Sequence, residues 1–389
     1  MPRLRRASHR PASAGAPGAA SGRRAATGHP IPAEEARLIL TPIIADKGRV
    51  LLAVSGGPDS VALMRLLALL HRERPGCAIE VATVDHGLRP DSAKEAASVG
   101  RWARQCGFAH AILRWEGAKP ASHIQEKARA ARYALLAERA REIGAATLVT
   151  AHTLDDQAET VLMRLAHGSG LAGLAAMRRL TRREGLTLAR PFLGIAKARL
   201  VATCEANGWP FHSDPSNADP RFARARLRKL AATLEAEGLT AARLAKLAER
   251  AAATEEALEA KAEEAYAAAA SLEGETVTLD APRLMGEPRE IALRVLARAL
   301  ARLNAGNEGP PLRLERLETL ASELGRAFAA RQRLKRTLGG ALLAFDGGSR
   351  LVLTREGPRR RGARKGASDR GEKAGRAKKG NSDARLALV

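Results

Sequence analysis

Cysteines and long apolar runs are scarce in this chain of 389 residues, and each shortage excludes a class of protein. No apolar run approaches the roughly 18 residues that a membrane-spanning helix needs, so the sequence predicts no membrane partner. The three cysteines, Cys77, Cys106 and Cys204, are widely spaced and include no CxxC pair. This spacing gives no sign of a zinc site, an iron–sulfur cluster or a disulfide framework, and a reducing cytoplasm is the simplest setting for the protein.

Acidic residues are outnumbered by basic ones and are missing from the start of the chain. The net charge is +23; residues 1–30 hold six arginines and no acid, and residues 357–389 hold eleven Lys or Arg against three acids. We expect both ends to be disordered basic extensions, and an organelle transit peptide is a weaker alternative for the first. A basic chain with basic ends indicates a polyanionic partner, although a solvated tail without a partner has the same composition.

The lysine of the common phosphate loop is missing from the turn that most resembles one. That turn is Ser55-Gly56-Gly57-Pro58-Asp59-Ser60, which lies between two apolar runs. The pattern predicts a buried strand, a glycine turn and a helix, whose backbone N–H groups and helix N-terminus bind phosphate. Where G-x-x-x-x-G-K-[ST] has its lysine, this turn offers Asp59, which suits a Mg²⁺ ion between carboxylate and phosphates. The alternative is an ordinary glycine turn in which Asp59 only favours the helix N-terminus.

Strand-like and helix-like segments alternate over the first half of the chain. Predicted strands cover 49–54, 79–84, 109–114 and 147–150, and a helix-like segment follows each. This alternation predicts an α/β fold with a parallel sheet and helices on both faces, in which ligands bind beyond the carboxyl ends of the strands. The stretch that ends at Arg190-Pro191-Phe192-Leu193 is interpreted as a basic loop.

Acidic residues follow the fourth predicted strand. Asp156 and Glu159 are three residues apart in the segment His152–Thr160, so a helix that starts here presents both on one face. Beside a phosphate turn, these carboxylates can hold Mg²⁺ or a cationic substrate. The alternative is that Asp155 caps the helix and the other acids are solvated.

From about residue 236 the pattern changes to long helices and short hairpins. Residues 236–272 are predicted to form a helical linker, and 273–356 a small α+β unit in which Gly339-Gly340 and Gly347-Gly348 are hairpin signals. We therefore expect a first domain over 31–235, then the linker and the small unit, with a basic extension at each end.

Five motifs in a fixed order give the chain a family resemblance. They are Ser55–Ser60, Val84–Arg89, Lys127–Tyr133, His152–Thr160 continuing into Gly168–Leu174, and Asp214–Asn217 with Arg224 and Arg228. The first resembles the SGGxDS signature of the N-type ATP pyrophosphatases (PP-loop proteins). The whole set resembles the tRNA(Ile)-lysidine synthetases over about residues 48–232 and, more weakly, 270–356. The chain departs from that family at Thr153, where a second His is common, and its C-terminal part is shorter than in the larger members.

This resemblance implies a ligase that uses ATP and Mg²⁺ and acts on free L-lysine and an isoleucine tRNA with a CAU anticodon. The C2 oxygen of the wobble cytidine attacks the α-phosphate of ATP, pyrophosphate leaves, and the ε-amine of lysine then displaces AMP to give lysidine. Lysidine pairs with A, so the tRNA is charged with isoleucine instead of methionine. In this view the first domain binds ATP and is catalytic, the small unit binds tRNA, and a homodimer is left open. A tRNA thiolase, an amide-forming synthetase and a non-catalytic tRNA-binding protein remain alternatives.

The resemblance also implies roles for individual residues. The ATP-binding set is Ser55, Gly56, Gly57, Pro58, Asp59, Ser60, His86 and His152; the Mg²⁺ ligands are Asp59 and Asp156; the tRNA-binding set is Arg221, Arg224, Arg226, Arg228 and Lys229. The catalytic set is Asp59, Asp156, Glu159 and Arg132. Its carboxylates bind metal or accept the proton of the lysine amine, and Arg132 stabilises charge on the α-phosphate. The competing interpretations are a surface arginine at position 132, structural histidines, and a solvated basic face.

Overall fold

The computed structural model describes residues 28–356 apart from 46–47, 89, 118, 120–123, 184, 214–222 and 305–311. The predicted C-terminal extension, nearly all of the N-terminal one, the Asp214–Asn217 motif and Arg221 lie outside the described residues. The described chain contains two sheets, and each has its own hydrophobic core.

The first sheet confirms the predicted α/β class. Its strands are β1 (Arg49–Ala53), β2 (Ala78–Asp85), β3 (Ala109–Arg114), β4 (Ala145–Val149), β5 (Leu180–Arg183) and β6 (Leu186–Ala189). The helices of this part are α1 (Ala33–Ile44), α2 (Pro58–Glu73), α3 (Ser92–Gln105), α4 (Ile124–Glu142), α5 (Leu154–Ala166), α6 (Leu171–Leu174) and α7 (Lys197–Ala206). The strand order is β3-β2-β1-β4-β6-β5; the first five are parallel, and β5 runs antiparallel to β6 at the edge.

Side chains of the central strand alternate between the two faces of this sheet. Val50 and Leu52 join the core formed with α1, α2, α3 and α7, whereas Leu51 joins the core formed with α4. Successive residues of a strand point to opposite faces, and burying a large aliphatic side chain is worth about 1.5–3 kcal/mol. Helices packed on both faces therefore leave the carboxyl edge of the sheet as the place where a site can form.

The interpretation of the stretch before Arg190 as a basic loop is wrong. Leu186–Ala189 forms β6, which pairs in parallel with β4, and Leu180–Arg183 forms β5. Each strand has only four residues, and Thr or Arg interrupts its apolar positions, so neither shows the apolar run that marked the other strands. Pairing with β4 stabilises a strand that its own composition does not indicate.

The second sheet is antiparallel and follows two helices, α8 (Ala223–Ala236) and α9 (Ala241–Ala269). Its strands are β7 (Ala270–Glu273), β8 (Thr276–Asp280), β9 (Leu334–Leu338), β10 (Ala341–Phe345) and β11 (Arg350–Arg355), in the order β7-β8-β11-β10-β9. Three helices pack with it, α10 (Ala281–Gly286), α11 (Arg289–Leu303) and α12 (Leu314–Ala329). Both predicted hairpins are present, with φ of +58° and +80° at Gly339 and Gly340 and +86° at Gly347.

Helix α9 packs against α5 at its start and against the second sheet's core at its end. Near its start, Leu244 and Ala248 pack with Ala158 and Val161 of α5, and near its end Ala262 and Ala265 enter the core of the second sheet. The helix ends at Ala269, earlier than predicted, because the next four residues form β7. Within the described part of the chain, no helix has the length and apolar character that a membrane crossing requires.

Candidate active site

A cavity of about 1030 Å³ opens at the carboxyl ends of β1, β2 and β4. Of the predicted site residues, its walls contain Ser55, Gly57, Pro58, Asp59, Ser60, His86, Arg132, His152, Asp156, Arg224 and Arg228. Glu159 instead lines a smaller neighbouring cavity of about 200 Å³ between α5, α8 and α9. Arg226 and Lys229 are exposed on α8 and belong to neither wall.

The glycine turn between β1 and α2 has a defined conformation that depends on Gly56. Gly56 has φ +89°, and a Cβ at this position would lie 2.9 Å from Cδ2 of His212. Gly57 is the extended N-cap of α2, and Pro58 is the first helical residue, where its missing N–H costs nothing. The Ser60 hydroxyl donates to the Gly57 carbonyl at 3.0 Å and accepts from the Ser55 N–H at 3.2 Å. The turn is thus held in shape with the N-terminus of α2 at the cavity wall.

Asp59 has a buried carboxylate, of which one oxygen is paired with a lysine and the other has no partner among the described residues. Its Oδ2 lies 3.2 Å from Nζ of Lys197, and its Oδ1 is buried without a hydrogen-bond partner among the described residues. Burial raises the pKa of Asp59 to about 6, and the nearby Asp156 and Asp155 add to this, while Lys197 opposes it. Lys197 was not anticipated, since a single lysine at a helix start carries no local signal.

No group of three or more His, Cys, Asp or Glu side chains in the described part of the chain is arranged to hold a metal ion. Mg²⁺ commonly needs less from the protein, because one or two carboxylates and the substrate phosphates suffice. The unpartnered Oδ1 of Asp59, beside the glycine turn, fits that kind of site.

Asp156 and Thr153 form a capping box at the start of α5. Asp156 Oδ2 accepts hydrogen bonds from the Thr153 N–H at 2.9 Å and from Thr153 Oγ at 3.0 Å, and Thr153 Oγ accepts from the Asp156 N–H at 3.3 Å. Burial raises the pKa of Asp156, but the bonds from Thr153 help to hold it below its ordinary value. The alternative that Asp155 caps this helix is wrong: Asp155 Oδ2 accepts from the Lys197 N–H at 2.7 Å and so caps α7.

Glu159 is buried and paired with an arginine of α8. Arg228 donates to both of its oxygens, with Nη2 at 3.3 Å from Oε2, and Nε of Arg224 lies 4.0 Å from Oε2. Burial raises the pKa of Glu159 and outweighs the opposing effect of Arg228. Arg228, which is predicted to bind tRNA phosphates, is engaged with Glu159 in this structure.

His86, His152 and a cationic helix face also line the cavity. His152 Nδ1 lies 2.9 Å from Thr150 Oγ, and burial lowers its pKa to about 3, so the ring is neutral near pH 7. Burial and the charge of Arg132 also lower the pKa of His86, whose ring meets Trp115 edge-on at 5.9 Å. Arg132 belongs to this wall with Arg129, which was not anticipated.

The cysteines do not have the properties of nucleophiles. All three are buried and free, and burial raises the pKa of each thiol, to about 12 for Cys204. Reactive cysteines are accessible and have a lowered pKa. The alternative of a tRNA thiolase that relies on catalytic cysteines is therefore disfavoured.

Comparison with known proteins adds independent information. Residues 32–234 match the model of the PP-loop domain. A tRNA(Ile)-lysidine synthase of Methylobacterium nodulans is 57% identical over 81% of this chain and 92% of its own length. That of Methylobacterium sp. strain 4-46 is 55% identical over 87% of this chain and 98% of its own length. Among solved structures, the U34-tRNA thiolase NcsA of Methanococcus maripaludis with its [4Fe-4S] cluster has a TM-score of 0.49 at 19% identity and covers 56% of this chain and 76% of that one.

Proposed function

Because the chain belongs to the tRNA(Ile)-lysidine synthase family, we propose that it joins L-lysine to C2 of the wobble cytidine in an isoleucine tRNA with a CAU anticodon. The chain is a PP-loop enzyme that uses ATP in tRNA modification. The observation that carries the finer proposal is the convergence of a glycine turn, the unpartnered oxygen of Asp59 and a cationic wall on one cavity.

The first step is adenylation of the cytidine. ATP would lie with its β- and γ-phosphates at the glycine turn, where backbone N–H groups and the N-terminus of α2 receive the charge of departing pyrophosphate. The α-phosphate would face Arg129 and Arg132, which share the cavity wall with the turn. Mg²⁺ held by Asp59 would supply further neutralisation of phosphate charge. His152 is neutral and close to Thr150, and it would line the pocket of the nucleoside or the cytosine.

The second step needs a lysine amine without its proton. Of the two predicted acids, we propose that Glu159 accepts this proton. Burial raises the pKa of Glu159 towards the range of a base that works near neutral pH. Asp156 has a lowered pKa, forms the cap of α5 and lines the ATP cavity, so we assign it to the nucleotide side. The lysine would then enter beside Arg228, at the boundary of the two cavities.

Binding of the tRNA is assigned to α8 and to the small unit. Arg226 and Lys229 are exposed on α8, and Arg224 lies at the wall of the cavity. Such side chains position a nucleic acid through its phosphates and do not read its sequence. A cytoplasmic location and a homodimer complete the proposal; the buried free cysteines agree with a reducing compartment.

The decisive measurement is lysine incorporation. The full chain is incubated with ATP, Mg²⁺, labelled lysine and unmodified isoleucine tRNA, and the digested tRNA is analysed for lysine on cytidine. We expect incorporation with release of AMP and pyrophosphate, and none without ATP. Pyrophosphate release with this tRNA but no lysine on cytidine would overturn the proposal.

Two variants separate the steps. Glu159→Gln should retain pyrophosphate release in the absence of lysine and lose lysine transfer by at least ~100-fold, since a positioned general base contributes 10²–10⁴-fold. Asp156→Asn should impair pyrophosphate release itself. Lys246→Ala, on the exposed face of α9, is the control for both and should behave as wild type. Equal losses in both steps for Glu159→Gln would contradict the assignment.

A further inference from the structure

His212 lies against the glycine turn but was not singled out by any motif. Its backbone N–H donates to the Gly56 carbonyl at 2.8 Å. Its ring is so close to the turn that a Cβ at Gly56 would lie 2.9 Å from Cδ2. The ring of Trp102, in α3, packs on the imidazole, with ring centroids 4.9 Å apart and planes inclined by 30°. The backbone bond and the stacked ring fix both the position and the plane of the imidazole.

The Nε2 atom of His212 is buried and has no hydrogen-bond partner among the described residues. Leaving a buried polar atom unpaired destabilises the folded protein, and such an atom in a native structure calls for an explanation. Nε2 is bonded to Cδ2, the ring atom nearest to Gly56, so it lies beside the turn. His212 also lines the same cavity as Ser55, Gly57 and Asp59. The missing partner is therefore expected in the cavity, next to the N–H groups of the turn.

We propose that His212 is a further ATP-binding residue whose Nε2–H donates a hydrogen bond to the triphosphate and then to the departing pyrophosphate. The proposal rests on the proposed function, since it needs ATP at the glycine turn. The expected ligand is an anion because the backbone N–H groups of the neighbouring turn and of the helix N-terminus are donors that favour phosphate. The Nε2–H tautomer and the imidazolium both supply a donor at this atom. Pyrophosphate gains charge as it leaves, so the bond strengthens in the transition state.

The experiment uses the full chain with three substitutions at this position. His212→Phe keeps a ring for Trp102 and removes the donor. His212→Gln places an amide N–H near the position of Nε2, and His212→Asn places one near Nδ1. ATP and inorganic pyrophosphate binding are measured by calorimetry, and kcat and KM for ATP are measured from pyrophosphate release with the isoleucine tRNA.

We expect His212→Phe to lower kcat/KM for ATP by ~10- to 100-fold and to weaken pyrophosphate binding by a similar factor, as for removal of a hydrogen bond to a charged group. His212→Gln should recover most of this loss, and His212→Asn should not. The KM for lysine should stay within twofold in all three. Unchanged ATP and pyrophosphate binding in His212→Phe would overturn the proposal, as would equal behaviour of the Gln and Asn variants at matched thermal stability.

Failure of this inference can be told from failure of the proposed function. The calorimetric measurement needs neither tRNA nor lysine, so it reports on His212 even if the second substrate has been misidentified. If the wild type binds ATP and pyrophosphate but makes no lysidine, the proposed reaction is wrong. The role of His212 in binding them is still tested by the variants. If wild type makes lysidine and His212→Phe binds both nucleotide and pyrophosphate normally, the inference alone is wrong.

Discussion

The buried carboxylate of Asp59 destabilises the folded protein when it is ionised. One oxygen is buried without a partner among the described residues, and the other faces Lys197, whose side chain is half-exposed. Burial outweighs this lysine and raises the pKa from an ordinary value of 3.8 to about 6. Such a cost is expected at a binding site for a cation and phosphates, because the ligands supply the partners that the carboxylate lacks in the free protein.

We predict that Asp59→Asn stabilises the protein near neutral pH and abolishes activity. Because the folded pKa lies above the ordinary one, the folded state binds more protons between about pH 3.8 and 6, and the contribution of Asp59 to stability falls as pH rises through this window. Above it, the ionised group costs about 1–3 kcal/mol. Urea unfolding should therefore show a gain for the variant at pH 7.5 that disappears near pH 4. A gain in stability of the same size at both pH values would contradict the raised pKa of Asp59.

The local motifs of the site could be predicted from the sequence, and its long-range partners could not. The glycine turn, His152 and Asp156 follow apolar strands directly, so their place at the sheet edge follows from the strand pattern. Lys197 meets Asp59 across a large stretch of chain, and only the position of α7 in the fold brings them together. His212 follows a short segment without periodic pattern, and its contact with Gly56 is equally non-local.

At the scale of elements, the sequence indicated segments with a clear periodic pattern or a hairpin signal and missed two short strands of the first sheet. Strands β1 to β4 and the long helices were predicted because apolar runs and helical spacing mark them. Strands β5 and β6, with four residues each, are stabilised by pairing at the edge of the sheet. Helix α9 lies in the segment predicted to be a helical linker, and its first half packs on α5 and lines the smaller cavity with Glu159.

We predict that Leu244→Ala, in the first half of α9, destabilises the protein by about 2–5 kcal/mol, since Leu244 is 4% exposed and its truncation leaves a cavity against α5. Leu247→Ala is the matched control on the same helix, because Leu247 is 41% exposed, and it should change stability by less than ~0.5 kcal/mol. Chemical denaturation of both variants gives the comparison. Similar losses of stability for the two leucines would mean that α9 does not pack on α5 as described.

At the scale of the whole molecule, ion pairs also join α9 to the small unit. Arg294 of α11 pairs with Glu255 and Glu259 of α9, and its side chain is 14% exposed. The hydrogen bonds from Arg294 to Glu255 raise the pKa of the arginine further. Helix α9 therefore connects the tRNA-binding unit that we propose to α5 through apolar contacts at one end and through apolar contacts and ion pairs at the other.

The last 33 residues of the sequence are strongly basic, and this leads to a prediction about tRNA binding. Residues 357–389 carry eleven Lys or Arg against three acids. If they bind tRNA phosphates, deleting them should weaken binding at low salt and reduce the slope of log Kd against log salt by about 0.7–0.9 for each phosphate that they neutralise. A variant that keeps the length and changes these Lys and Arg to Gln should reproduce the deletion, because the effect depends on charge and not on chain length. An unchanged slope in both variants would mean that the segment does not bind tRNA. The tRNA phosphates would then have to be bound by α8 and the small unit.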